Sequence, residues 1–359
     1  MEQGRRRRRY KRDRISHLPD KILHRILLRL GSVPAAARTS VLSRRWRRVW
    51  THLPELVLCD NGQVRISSFL NAVDGALAGN STPALRALGI SMFNVLSPVP
   101  AARIARWLCF ASQRVTGDIF LCLPWHPESP SQGQLVEQDL ELPLCVRATA
   151  INLSIGQGFR QLQLPWTGTF GALRILKIQQ TKIDIRHLER LVASQCPCLV
   201  ELLLMEIIHL AMDDAAIRSL SLKKLCFDVK NVRRLVVDTP SIVELSLYKL
   251  EKVSVPAPKL PEANCRRAND LVPQMPAAAG RHLRQLAVIG SPQVMQVLMR
   301  HFNIVDELQL DLLVPPGEGY KSFLRCLASL EEICWSKEAG YLFLLDGIFP
   351  MHARLSLWP

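Results

Sequence analysis

Leu18, Ile22, Leu23, Ile26, Leu27 and Leu30 recur three and four residues apart, the spacing that gathers side chains on one face of a helix. Pro19 falls in the first turn, where its missing N–H breaks no bond, and Asp20 suits the positive end of the helix dipole. Gly31 is a stop signal. Ser32 can cap a second short helix with Pro34 in its first turn. Ser40 or Ser43 can open a third, in which Trp46, Val49 and Trp50 share a face and Arg44, Arg45, Arg47 and Arg48 spread over the rest. Three short helices in about 45 residues make a marginal core, so surplus apolar surface is expected to meet a partner.

Beyond Leu56 the period changes. A template, apolar-x-x-apolar-x-apolar, returns as LRALGI (85–90), LRILKI (173–178), LVELLL (199–204), LKKLCF (222–227), IVELSL (242–247), LRQLAV (283–288), VDELQL (305–310) and LEEICW (330–335). Successive starts from 173 lie 26, 23, 20, 41, 22 and 25 residues apart. We read the long step as two, with a degenerate repeat near residues 258–263. A period of ~20–29 residues is that of leucine-rich repeats, in which each template opens a short strand whose leucines enter a shared core. The segments RHLERLVASQCP and SPQVMQVLMRHF have helical spacing and should return along the convex side.

Between 91 and 172 the pattern blurs. Residues 101–115 read as a helix, GDIFLCL and ATAINLSI as strands, and 123–134 as a loop rich in Pro, Ser and Gln. FRQLQL (159–164) also fits the template but starts only 14 residues before LRILKI, so the two cannot both head full repeats. Residues 261–281 carry little pattern and read as an irregular insertion. The sequence ends at LSLWP without an obvious polar cap. The fold class predicted is α/β: a small N-terminal helical unit, then a leucine-rich-repeat solenoid with parallel strands on its concave face and helices or irregular segments on its convex face.

Charge changes the picture at one end. Net charge is +15 over 359 residues, but residues 1–52 hold 16 Lys/Arg against 3 Asp/Glu, leaving +2 for the remainder. A body that wrapped nucleic acid would carry a basic stripe along its length. The run Arg5 to Arg9, followed by Tyr10, Lys11 and Arg12, reads as a disordered basic tail over 1–12 and as a nuclear-localisation address. No secretory signal is visible. The longest uncharged stretch, 87–102, has 16 residues and two prolines, short of the roughly 20 needed for a membrane span. The ten cysteines include one close pair, Cys196 and Cys198, and no zinc-ligand spacing. They read as thiols in a reducing nucleus or cytoplasm, with no metal and no cofactor expected.

The segments DRISHLPDKILHRILLRL and ARTSVLSRRWRRVWTHLPEL, between about Asp13 and Leu56, resemble an F-box in the form that opens plant F-box/leucine-rich-repeat proteins. The resemblance rests on LPD at 18–20, TSVLSRRWR at 39–47 and WTHLPEL at 50–56. It implies domains at 13–56 (F-box) and 57–359 (repeats). It also implies that Leu18, Pro19, Ile22, Leu23, Ile26, Val41, Leu42 and Trp46 enter a Skp-type adaptor, and through it a cullin–RING ubiquitin ligase. The chain would then be a substrate-recognition subunit and not an enzyme. Arginines around Trp46 would steer the encounter with an acidic adaptor.

The x positions of the templates should face the concave side and bind an unknown target protein. They include Arg174, Lys177, Glu201, Lys223, Lys224, Glu244, Arg284, Gln285, Asp306, Glu307, Glu331 and Glu332, basic at first and acidic later. Two other readings stay open: a repeat scaffold without a ligase link, and a basic-tailed nucleic-acid binder, which lacks base-reading Asn or Gln. No Gly-rich phosphate loop, GxSxG or HExxH occurs. Asp213–Asp214 is read as the start of a helix, DDAAIRSL, and His187, His209, His282 and His301 as surface or satisfied core residues.

Overall fold

The computed structural model describes residues 18–29, 45, 49–60, 65–92, 99–123, 138–156, 159–250, 252–255, 282–290, 298, 304–314, 342–344 and 351–357. The first helix, α1, is Asp20–Arg29, and its opening turn is closed by Ile22 and Leu23 N–H donating to Pro19 O. A 3-10 turn at Trp50–His52 leads into β1 (Glu55–Cys59). Then come α2 (Ile66–Gly79), β2 (Leu85–Ser91), α3 (Ala101–Arg114) and β3 (Val115–Cys122). Short strands β4 (Leu140–Glu141) and β6 (Leu162–Gln163) bracket β5 (Ala150–Ser154). β7 (Ile175–Gln179), β8 (Lys182–Ile183) and α4 (Ile185–Arg190) follow. The rest is strand: β9 (Glu201–Arg218), β10 (Lys224–Asp238), β11 (Glu244–Tyr248), β12 (Lys252–Ser254), β13 (His282–Gly290), β14 (Ile304–Val314), β15 (Leu342–Leu344) and β16 (Met351–Leu357).

The main sheet runs β1-β2-β3-β5-β7-β9-β10-β11-β13-β14-β16-β15 and is parallel through β14. Its leucines explain it. Leu56, Leu88, Ile119, Ile151, Leu176, Leu202, Leu225, Leu245 and Leu286 occupy one buried position on successive strands, each at most 3% exposed. Burying each contributes about 1.5–3 kcal/mol, and no strand could hide its row without its neighbours. The helices α2 and α3 close the same core with Phe69, Leu70, Val73, Ile104 and Trp107. Trp107 is buried and its Nε1 donates to Asp74 at 2.8 Å.

Three more strands join the ladder: one before the blurred region, and two within it at the expected strands GDIFLCL and ATAINLSI. LPELVL (53–58) fits the template and supplies β1, although the sequence reading places it at the end of the helical unit. ATAINL (148–153) supplies β5, with the small Ala148 in the first apolar position. β3 escapes the template because one extra residue shifts its register against β2, between Leu85↔Val115 and Ala87↔Asp118. The extra residue lies at Gly117, where a Cβ would sit 2.2 Å from Arg86 O. FRQLQL heads no repeat of the main sheet: β6 pairs with β4 in a separate two-stranded sheet.

One expectation is corrected. The helix DDAAIRSL is the last part of β9: Ala215 and Ile217 alternate into the core and pair beside Leu235 and Val237. Repeats beginning 23 and 20 residues before the next leave little chain for a helical return, and an alternating strand buries the same apolar surface. β12 continues this second ladder through Val253. Among the described residues no strand of the sheet stands between β11 and β13, which pair directly, Glu244 opposite Gln285, and the degenerate repeat expected near residues 258–263 lies outside them. Antiparallel β16 holds the far edge of β14, with Leu308 opposite Leu357. LEEICW, the 1–12 tail, the second and third helices but for Arg45, Val49 and Trp50, residues 124–134, residues 261–281 and most of SPQVMQVLMRHF lie outside the described residues. RHLERLVASQCP is helical as expected, with α4 capped by Asp184, which accepts from Arg186 N at 3.0 Å.

Candidate functional site

Two surfaces collect the singled-out residues. The first is α1. Its residues divide into two stripes, because 3.6 residues per turn put Leu23 and Leu27 on one side and Pro19, Ile22 and Ile26 on another. Leu23 and Leu27 are 0% and 1% exposed and join Val49, Leu53 and Leu56 in the core. Leu23 therefore packs within this chain, a correction to its place among the adaptor contacts. Leu18 is half-buried against the same core. Ile22 and Ile26 are 36% and 37% exposed beside exposed Pro19. Two isoleucines at i and i+4 in water are an unsatisfied apolar stripe.

Polar contacts fix this helix. Arg45 Nη2 donates to Leu18 O and Asp20 Oδ1, each at 2.5 Å, and its Nε donates to Asp20 at 3.0 Å. His24 Nε2 lies 3.0 Å from Val49 O. Val41, Leu42 and Trp46 lie outside the described residues.

The segment after the helical unit is fastened to the sheet. Buried Asn80 donates from Nδ2 to Thr51 O at 3.1 Å and accepts Thr82 N at 3.1 Å. Thr82 Oγ1 donates to Leu53 O, and Ser81 N to Thr51 O. α1, β1 and the strands beyond share one continuous core.

The second surface is the open face of the sheet. Register places Glu55, Ala87, Asp118, Ala150, Ile175, Glu201, Lys224, Glu244, Gln285 and Glu307 in one cross-strand row. A second row holds Val57, Gly89, Phe120, Asn152, Lys177, Leu203, Cys226, Ser246, Ala287 and Gln309. The singled-out Lys177, Glu201, Lys224 and Glu244 thus share this face. Lys224 bonds Glu244 at 2.6 Å, and that carboxylate holds the ammonium above its ordinary range. Arg174, Lys223 and Arg284 stand one residue earlier, exposed at the strand starts. Asp306 and Glu307 lie on β14.

Sequence reasoning missed the apolar members of this face: Val57, Phe120 and Met205 are 38–39% exposed. Their signal was available, since strand alternation turns the third and fifth template positions, and the residue after the sixth, outward whatever their polarity. At the far ends of the strands a polar ladder runs from Ser154 Oγ to Gln180 Oε1 (3.2 Å) and from Gln180 Nε2 to Glu206 Oε2 (3.2 Å). Glu206 N then donates to Asp228 Oδ2 at 3.3 Å. Gln180 and Glu206 take left-handed φ of 52° and 53°, a conformation costly outside glycine that these bonds offset.

Among the described residues, no group of three or more His, Cys, Asp or Glu side chains could hold a metal ion. No helix among them is long and apolar enough to cross a membrane. Cys196 is buried and its thiol is pushed up to about 12 by desolvation, while Cys198 is exposed, so the close pair faces two environments.

Residues 15–58 match the F-box domain. The chain carries an F-box. Its match ends within β1, so the F-box runs without a break into the first strand of the sheet. Among similar proteins, all from Arabidopsis thaliana, an F-box/LRR-repeat protein is 29% identical over 251 residues, 65% of this chain and 61% of that protein. An FBD-associated F-box protein is 27% identical over 261 residues, 70% of this chain and 59% of its own. F-box/LRR-repeat protein 13 is 45% identical over 69 residues, 19% of this chain and 15% of its own. The chain spans between 52% and 61% of the first relatives it matches. No solved structure matches.

Proposed function

We propose that this F-box chain is the substrate-recognition subunit of a Skp/cullin/F-box ubiquitin ligase. The observation that carries the reading is the exposed stripe of Pro19, Ile22 and Ile26 on a helix whose opposite face is buried in the chain's own core. An F-box with its inner face satisfied and two isoleucines in water has a surface for a second protein. Val41, Leu42 and Trp46 complete the proposed adaptor contact. The open face of the repeats then takes the target, through Arg174, Lys177, Glu201, Lys223, Lys224, Glu244, Arg284, Asp306 and Glu307 together with Val57, Phe120 and Met205.

The shared core supports the mechanism. The F-box enters the sheet through β1 and is stapled to it by Asn80 and Thr82. A target held on the sheet would therefore keep one orientation to the adaptor. Catalysis would belong to other subunits, and this chain would act by raising the target's effective concentration. We propose action in the nucleus, the cytoplasm or both, with residues 5–12 as the address. Deleting them in a tagged chain should shift its distribution out of the nucleus; an unchanged distribution removes the address.

Co-expression with a Skp-type adaptor followed by size-exclusion chromatography tests the function. The wild-type chain should co-elute, and the double variant Ile22→Asp, Ile26→Asp should elute alone with unchanged circular dichroism. A well-folded wild-type chain that elutes alone rejects the ligase role.

A further inference from the structure

Backbone bonds link the residues at the strand starts into one row: Arg174 N to Thr149 O, Val200 N to Arg174 O, Lys223 N to Val200 O, Val243 N to Lys223 O and Arg284 N to Val243 O. Read across β7, β9, β10, β11 and β13, the row is cation, valine, cation, valine, cation. Arg174, Lys223 and Arg284 are exposed, and among the described residues they make no ion pair. Val243 is 37% exposed, so the aliphatic positions are open as well. The neighbouring row does not neutralise the comb, since Lys224 there bonds Glu244 and also feels Glu201. The comb is bounded on one side: Arg86, in the same row on β2, bonds Glu55 at 2.6 Å, and the next position is Gly117.

Strand spacing fixes its period. Two steps across a sheet span about 9.6 Å, so the three cations cover about 19.2 Å. Three residues of polyproline II advance about 9.3 Å, or about 18.6 Å over two intervals. A heptad helix advances about 10.5 Å, or about 21 Å, and runs out of register. An extended strand presents same-side residues about 6.7 Å apart and reaches the outer two cations, at about 20.1 Å, but misses Lys223 between them. From this we infer that the row Arg174, Val200, Lys223, Val243, Arg284 docks an acidic, proline-rich segment in polyproline II conformation. Its carboxylates would recur every third residue and its prolines would lie on the two valines. The inference rests on the open face being the target surface, and it names the chemistry of the target.

The test uses the full chain bound to its adaptor and a fluorescent peptide of four Glu-Pro-Pro triplets. A peptide of equal length whose four glutamates alternate over its central seven residues is the control, and anisotropy is read at low salt. The triplet peptide should bind about threefold more tightly, since three exposed ion pairs form in register in one case and only the outer two in the other. Lys223→Glu should remove that preference and Lys223→Arg should restore it; the site is exposed, so the fold should stand. Equal affinity for the two peptides, binding to neither, stronger binding to an acidic heptad helix, or equal retention by single-stranded RNA would each overturn the comb. A floor variant, Lys177→Glu, separates the two claims: if it loses proteins that wild type captures from plant lysate while the peptides show no preference, the target face stands and the comb falls.

Discussion

Gly117 gives the sharpest structural test. It is the extra residue in β3, and a Cβ there would lie 2.2 Å from Arg86 O and 3.2 Å from Arg86 C. Real Cβ atoms essentially never approach below 3.0 Å, so the strands must part by at least 3.0 − 2.2 = 0.8 Å. One side-chain bond spans this point, Thr116 Oγ1 to Leu85 O at 3.0 Å. Stretched by about 0.8 Å, it is no longer a hydrogen bond. Overpacking costs about 1–3 kcal/mol and a lost bond about 1 kcal/mol, so Gly117→Ala should destabilise by about 2–4 kcal/mol. Gly75, mid-helix in α2 with nothing within 4 Å of a built Cβ, is the control. Gly75→Ala should stabilise by about 0.5–1 kcal/mol. Thermal unfolding followed by circular dichroism would show opposite shifts for two glycine-to-alanine changes. Hydrogen exchange would show the Gly117→Ala loss concentrated in 85–91 and 115–122. A Gly117→Ala chain that melts at or above wild type, or that loosens elsewhere first, refutes the bulge argument.

Other outcomes follow from the same structure. Asn80→Ala leaves Thr82 N without its partner and takes one of two donors from Thr51 O, and should cost about 2 kcal/mol, with faster amide exchange at 81–82 and adaptor binding retained. Asp139 is held down to about 2 by Arg160, 2.5 Å away, so its contribution is full above the ordinary carboxylate pKa and fades as pH falls toward 2. Because Arg160 is exposed, Asp139→Asn should cost only about 1 kcal/mol at neutral pH, and acid titration should show that gap closing below about pH 3. Native alkylation read by mass spectrometry should modify Cys59, Cys109 and Cys198. It should spare buried Cys145 and Cys196, whose thiols are pushed up to about 12, and Cys226, pushed up to about 11.

The periodic parts of the molecule were legible and the irregular parts were not. Strands β7, β9, β10, β11, β13 and β14 follow from their leucines alone, because each template repeats one burial problem. β3 and β5 were legible as strands in GDIFLCL and ATAINLSI, but the extra residue at Gly117 and the small Ala148 hid their place in the repeat period. β1 was absorbed into the F-box, whose resemblance covers the same residues. DDAAIRSL misled because two acidic residues before an apolar stretch suit a helix start, whereas its alternation meets Leu235 and Val237 on a neighbouring strand. No local signal carries that tertiary pairing. On α1 the sequence marks six apolar positions but not which stripe turns inward. Leu23 and Ile22 are adjacent and chemically alike, and packing against Val49 and Leu53 alone separates them.

That separation supplies the most direct measurement. Calorimetric titration of the full chain with a purified Skp-type adaptor would compare wild type, Ile22→Asp with Ile26→Asp, and Leu23→Ala, each alongside its thermal melt. The account expects the exposed pair to lose binding by at least about a hundredfold while the melt stays in place. It expects Leu23→Ala to lower the melt by about 2–5 kcal/mol of stability and to leave affinity near wild type while folded. Unchanged adaptor affinity in the Ile22, Ile26 variant, or no binding by well-folded wild-type chain, would contradict the central claim.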